Sequence, residues 1–374
     1  MEEELRDLEE LAVLLSLPGT ALLVLLPLYI KTLGGGSELI GIASSVGPIT
    51  FALVRLVGGA ATDVFGRKKT FIFGLLLYAL GLLLLALAPN ADAVTLGGSL
   101  TGAGAMIAMT SAIVIVADIA AFAEVYGRLA SKMALGGVLG SIIPFAALYF
   151  LPEIDAFRAT FLIYFLISLY ATKKSFELKE TMPKHSKLIF EWSLEWLIAT
   201  LVGSLASLAS GIVTPFYPVY IASKFKLGAI DVMLSYAPSA VAAITSPRIS
   251  GLLNPTTSLV LFNLIGVLGS SAIVLGGLAV AAIGLALVVG AVGGAAVAQD
   301  TLVAKGCRHS CGFMIGLYAS ITQLFMGLGS LFGGMMYSKN PQLVFLVAAL
   351  SFMGATLVSF FFLLIIREER GRNI

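Results

Sequence analysis

Gly59-Ala60-Ala61-Thr62-Asp63-Val64-Phe65-Gly66-Arg67-Lys68-Lys69 is a charged stretch, bracketed by glycines and set between two apolar runs of membrane length. One apolar segment ends at it and another begins at Thr70. Gly59 and Gly66 have no Cβ, so the backbone there can approach a neighbouring helix closely or take a positive φ. Arg67, Lys68 and Lys69 place a positive cluster at one membrane face. Asp63 puts a carboxylate at the end of an apolar segment, where a charge is costly unless paired. The stretch therefore reads as the tight turn of a helical membrane hairpin.

Composition agrees. The chain has 374 residues, 59% hydrophobic and 12% charged, with 40 glycines. A soluble domain carries about 25% charged residues, and a membrane helix needs about 20 mostly apolar residues in a row. Such runs fill nearly the whole chain, which predicts an all-α polytopic membrane protein without a soluble domain. Met1 to Glu10 is acidic and lacks the basic region that opens a signal peptide. It reads as an uncleaved lead-in to the first span, its carboxylates favourably placed near a helix N-terminus. Cys307, His309 and Cys311 fall short of a four-ligand zinc set. They read as small residues of a short loop, with neither a metal nor a disulfide expected.

Twelve spans are predicted, near 10–31, 38–60, 70–88, 93–117, 129–151, 156–172, 193–222, 230–252, 256–275, 278–300, 311–337 and 342–366. Gly34-Gly35-Gly36, Pro89-Asn90, Asn254-Pro255, Gly276-Gly277 and Asn340-Pro341 punctuate the joints. The longest polar stretch, Lys173 to Lys187, splits the chain into an N-terminal six-helix bundle (1–172), a linker (173–190) and a C-terminal six-helix bundle (191–374). With the N-terminus placed inside, seventeen of the 23 Lys and Arg fall in cytoplasmic segments and five outside, leaving Arg55 within a span. The bias predicts a multi-pass protein of the cell membrane with both termini cytoplasmic. The halves also repeat. Pro27-Leu28-Tyr29-Ile30 closes the first span and Pro218-Val219-Tyr220-Ile221 the seventh. Asp118, Arg128 and Gly136 follow the fourth span in the order that Asp300, Arg308 and Gly316 follow the tenth.

The opening stretch resembles the motif between the second and third helices of the major facilitator superfamily, Gly-x-Leu-Ala-Asp-Arg-x-Gly-Arg-Arg/Lys. Gly59, Asp63, Gly66, Arg67 and Lys68 match it; Ala61, Thr62 and Val64 depart from it. The resemblance implies two pseudo-symmetric six-helix bundles with a substrate site between them near the midplane. It implies that Arg67 reaches Asp118 at the end of the fourth helix, and that Asp63 faces the start of the eleventh near Ser310 to Gly312. Together with Arg128, Gly59, Gly66 and Lys68, these would form a conformational latch. The corresponding turn in the second half, Arg248 to Pro255, lacks the Asp and the basic run.

No carboxylate falls near the middle of a predicted span. Proton or sodium coupling would then use Asp63 or Asp118, or the protein is a facilitator. Arg55 could snorkel to the interface, pair with a carboxylate, or meet an anionic substrate. Gly136, Gly140, Gly327, Gly329, Gly333 and Gly334 suit close helix packing. Candidate cavity residues are Thr20, Arg55, Thr101, Thr110, Ser207, Ser210, Phe216, Tyr217 and Gln323. So sparse a polar set suits an apolar or amphiphilic substrate better than a sugar, because unmet polar groups are costly when buried. The leading expectation is a monomeric secondary transporter working by alternating access and exporting an apolar or amphiphilic compound. An importer or facilitator of a sugar or organic acid, and a non-transporting membrane sensor, are the alternatives. With two histidines and no acid within a span, no catalytic role, cofactor or nucleic-acid partner is expected.

Overall fold

The computed structural model describes residues 2–35, 37–119, 122–181, 190, 193–227, 229–307, 310–337 and 339–372. Side chains are described for these except at 2–4, 20, 23, 24, 27, 31, 37–49, 119, 229, 230, 233 and 366–372. All regular structure among the described residues is helical. In chain order the helices are α1 (Glu2–Thr32), α2 (Ser37–Phe65), α3 (Arg67–Ala86), α4 (Ala91–Ile119), α5 (Phe122–Gly140), α6 (Ile142–Phe150) and α7 (Glu153–Ser175). Then come α8 (Leu194–Phe225), α9 (Ala229–Leu234), α10 (Ala237–Leu252), α11 (Pro255–Leu275), α12 (Leu278–Gly306), α13 (Cys311–Tyr337) and α14 (Pro341–Arg372). Nine stretches among the described residues are long and apolar enough to cross a membrane, one of them the α5–α6 pair taken together.

Helices cover all twelve expected segments, with the fifth and eighth each in two pieces. Proline explains both breaks. Pro144, three residues into α6, cannot donate to the Gly140 carbonyl. The Tyr164 hydroxyl takes that place, donating to Gly140 O at 2.9 Å. Pro238 stands at the start of α10, just past the break at Ser235–Tyr236. Some of the other joints are capped by side chains. Ser193 Oγ accepts the Trp196 amide at 3.0 Å, and Asn254 Oδ1 accepts the Thr256 amide at 3.1 Å.

The chain forms two compact units. The first comprises residues 1–120, 132–190 and 308–320; the second comprises 121–131, 191–307 and 321–374. The opening turns of α13 thus belong to the first unit and those of α5 to the second. In the first unit α3 packs against α4 and α7, α2 against α4, and α1 against α4 and α7. Tyr78 on α3 donates to Leu15 O on α1 at 2.8 Å. In the second, α11 packs against α12 and α14, α10 against α12, and α8 against α12 and α14. The repeated Pro-x-Tyr-Ile segments do the same work in each unit. Tyr29 is fully buried, with its ring 5.2 Å from Phe157 near the start of α7 and tilted 53° to it. Tyr220 lies 4.8 Å from Phe345 near the start of α14, tilted 52°.

Glycine sets the closeness of several helix pairs, in line with a packing role for the glycine-rich spans. A Cβ on Gly136 would lie 2.6 Å from Val13 O, and one on Gly140 would run into the Leu17 carbonyl, both on α1. Gly211 meets the Met326 carbonyl and Gly329 the Leu208 carbonyl in the same way between α8 and α13. Gly19 on α1 has nothing within 4 Å. Gly140→Ala should therefore lower stability by about 1–3 kcal/mol through overpacking. Gly19→Ala should be neutral, or stabilising by about 0.5–1 kcal/mol through helix propensity. Thermal unfolding of the two purified variants in detergent checks the contrast.

Candidate functional site

The organising stretch is almost wholly helical. Gly66 alone separates α2 from α3, at φ 101 and ψ 152, a conformation closed to most residues with a Cβ. The expected turn is thus one residue long. Asp63 lies in the last turn of α2, and Arg67 opens α3.

Arg67 is 2% exposed and Asp63 3% exposed. The Arg67 guanidinium places Nη1 3.1 Å from Asp63 Oδ1 and 2.9 Å from Thr62 O, and Nε 3.0 Å from Asp118 Oδ2. One buried side chain therefore ties α2, α3 and α4 together. The Asp63 carboxylate is also met by the start of α13. Gly312 N donates to Oδ1 at 3.2 Å and Phe313 N to Oδ2 at 2.7 Å. The first amides of a helix lack partners within it and form the positive end of its dipole. A carboxylate there satisfies two of those amides, and Arg67 balances its charge.

The contact depends on bare backbone. A Cβ on Gly59 would meet Gly316 Cα at 2.9 Å and the Gly312 carbonyl closer still. One on Gly316 would lie 2.7 Å from Arg55 O. The Thr62 hydroxyl donates to Gly59 O at 2.7 Å, and Ser320 donates to Ala52 O at 2.5 Å. The contact between α2 and α13 thus runs from Ala52 to Asp63, all inside the first unit.

A further layer comes from the segment after α7. Lys68 Nζ donates to Phe176 O at 2.6 Å, and its backbone amide donates to Glu180 Oε1 at 3.2 Å. Thr181 donates to Asp118 Oδ2 at 3.1 Å. Sequence reasoning missed Thr62, Gly316, Glu180 and Thr181. The signal for Glu180 was its sign, since it is an acid in the linker facing the densest basic cluster of the first half. The acidic lead-in also finds partners: Glu9 pairs with Lys132, and Lys174 pairs with Asp7 and Glu10.

Arg128 is exposed on α5, in a portion that belongs to the second unit. In the second unit a glycine contact recurs. A Cβ on Gly127 of α5 would lie 2.6 Å from Pro247 O and 3.0 Å from Gly251 Cα on α10. Ser131 donates to Ile244 O at 2.5 Å. Gly251 falls in the degenerate turn of the second half, which keeps the close approach and lacks the carboxylate.

The expected cavity residues divide. The Thr20 side chain lies outside the described residues. Thr101 and Thr110 are buried and donate to carbonyls of their own helix, Gly97 at 2.7 Å and Met106 at 2.8 Å. Ser210 is buried and Ser207 half-buried on α8. Phe216 stacks on Tyr337 at 5.2 Å, and Tyr217 is fully buried edge-on to Tyr236 at 5.4 Å. Gln323 is half-buried, with Nε2 3.8 Å from Met326 Sδ. Arg55 reaches Met106 and Met109 of α4. One expectation is corrected: Cys307 and Cys311 are disulfide-bonded. Three residues separate them in sequence, a spacing short enough for the bond. Arg308 and His309 lie outside the described residues.

Comparison with known proteins places this geometry. A model of the Major Facilitator Superfamily matches residues 11–310. The lincomycin resistance protein of Streptomyces lincolnensis is 36% identical over 90 residues, 24% of this chain and 19% of that one. The methylenomycin A resistance protein of Bacillus subtilis is 28% identical over 145 residues, 38% of this chain and 30% of that one. The matches thus span less than a third of either relative. The structure of the human organic anion transporter MFSD10 superposes with a TM-score of 0.80 at 18% identity, over 96% of this chain and 99% of that one, a likeness of fold.

Removing a buried guanidinium that serves two carboxylates should be severe. Arg67→Ala is expected to cost about 3–5 kcal/mol, the range for breaking a buried pair. Asp118 is 27% exposed, so Asp118→Ala should cost about 1 kcal/mol or less. The double variant should fall short of the sum. Chemical denaturation of the four proteins measures the cycle.

Proposed function

Because the chain belongs to the Major Facilitator Superfamily, we propose that it is a secondary transporter which exports a small apolar or amphiphilic compound by alternating access. The observation that carries this reading is the Asp63 carboxylate seated on the first amides of α13. That contact joins a helix of the first sequence half to one of the second and depends on two hydrogen bonds and three glycines. It can therefore be made and broken as a unit, as a gate requires. The resistance proteins named above favour outward movement of a noxious compound. The cavity candidates agree, since Thr101 and Thr110 spend their hydroxyls on their own helices and leave little for a polyhydroxylated substrate.

In this reading the protein sits in the cell membrane with both ends of this chain cytoplasmic, and Asp63, Arg67 and Asp118 lie at the cytoplasmic face. They stabilise the outward-facing state. Arg67 and Lys68 hold the α2–α3 joint, and with Arg128 they are the basic residues of the latch. A coupling proton or sodium ion would use Asp63 or Asp118. The two six-helix halves of the sequence, joined by residues 173–190, rock against each other in a monomer.

A charge at a helix terminus contributes about 0.3–1 kcal/mol when exposed and up to about 2 kcal/mol when partly buried. At about 1.4 kcal/mol per tenfold, Asp63→Asn should move the population towards the inward-open state by roughly two- to thirtyfold with the fold kept. Labelling of single cysteines introduced on each face, in a background lacking Cys307 and Cys311, reads this shift. Equal labelling of the parent and of a correctly folded Asp63→Asn would remove the latch from the account.

A further inference from the structure

Arg55 is left unexplained by the latch. It is half-buried on α2, ten residues before Phe65. At about 1.5 Å per residue it lies about 15 Å from that helix end, where Lys68 and Lys69 mark the membrane face. Its partners give the same depth independently. Met106 and Met109 stand twelve and nine residues before Asp118, or roughly 14–18 Å along α4 from the residue that meets Arg67. A hydrocarbon core is about 30 Å thick, so the guanidinium belongs near its middle. Side chains on a helix also lean towards its N-terminus, which carries this one further from the basic face. Snorkelling does not reach so far.

A charge at that depth needs a partner. Arg55 Nε–H points at Met106 Sδ, 3.2 Å away, and Nη2–H at Met109 Sδ, 3.7 Å away. Thioether sulfur is a neutral, weak acceptor. None of the ion pairs formed by Arg67, Lys132 and Lys174 includes Arg55. The acids of α2, α3, α4 and α7 lie near helix ends, not at this depth. The surroundings are apolar and adaptable: two methionines, and Phe51, whose ring fits against Gly102 of α4.

We propose that Arg55 binds a negatively charged group of the transported molecule, and that the substrate is an amphiphilic monoanion such as a carboxylate or sulfonate. The inference rests on the transport reading and narrows it. A guanidinium offers a planar fork of donors to an oxyanion, and such charge-assisted bonds displace weak contacts to sulfur. The apolar body of the ligand then lies against Met106, Met109 and Phe51. The same chemistry gives the cation its missing partner only when substrate is bound.

The test uses purified protein in neutral detergent and two probes, 1-naphthalenesulfonate and its uncharged analogue 1-naphthalenesulfonamide. Parent protein should bind the sulfonate at least tenfold more tightly. Arg55→Gln should bring the two probes within about twofold, and Arg55→Lys should keep part of the preference. Met106→Glu retains Arg55 and offers it an internal carboxylate; it too should lose the preference. Binding of neither probe by the parent, or a preference that survives Arg55→Gln and Met106→Glu, overturns the proposal. Proteoliposomes separate it from the reading it rests on. Movement of both probes at equal rates removes the anion site and leaves transport standing. A preference that follows Arg55 without movement of either probe keeps the site and removes transport.

Discussion

The Asp63 carboxylate is shared between a guanidinium and the start of a helix, and the organisation around it follows from that. It is buried at the end of an apolar span, where an unpaired charge would be costly. Arg67 supplies the charge and the first amides of α13 supply the hydrogen bonds. Neither partner would suffice alone. The guanidinium is divided between Asp63 and Asp118, and helix amides carry only a partial charge. Arg67 in turn pairs with Asp63 and Asp118, so α2, α3, α4 and α13 meet at one point.

Close approach of backbones is the geometric condition for that chemistry. Gly59, Gly312 and Gly316 remove the Cβ atoms that would keep α2 and α13 apart. The second unit meets the same condition with Gly127 and Gly251 and has no carboxylate at its degenerate turn. The glycine contact is therefore present in both units, while the turn that carries Asp63 has its carboxylate only in the first. The paired Tyr29–Phe157 and Tyr220–Phe345 contacts show how much of the remaining packing the two units have in common.

Much of the fold was legible because membrane helices announce themselves by length and apolarity, and because basic residues concentrate at the joints. Asp63 was legible because a lone charge beside an apolar run demands a partner, whereas the pairing of Arg67 with Asp118 and the contact of Asp63 with the start of α13 were legible only through the resemblance to the family motif. The breaks after Gly140 and Leu234 were harder to read, since Pro144 and Pro238 lie within apolar runs that continue on both sides. Glu180 and Thr181 were missed because a linker carries no periodic signal, and what they touch is decided by where α7 ends. The disulfide was missed because spacing alone does not show whether two thiols face one another. For Arg55, the sequence left three readings open. The length of α2 beyond it and the sulfur partners, both supplied by the structure, bear on the choice among them.

Hydrogen exchange at the start of α13 tests the central claim most directly. The amides of Gly312 and Phe313 have no intrahelical acceptor, so their protection should depend on the Asp63 carboxylate. In the parent protein a peptide covering residues 311–316 should exchange slowly. In Asp63→Ala its protection should fall while the middle of α13 remains protected. Slow exchange of that peptide in a folded Asp63→Ala would contradict the account, because the helix start would then be held by something other than the carboxylate.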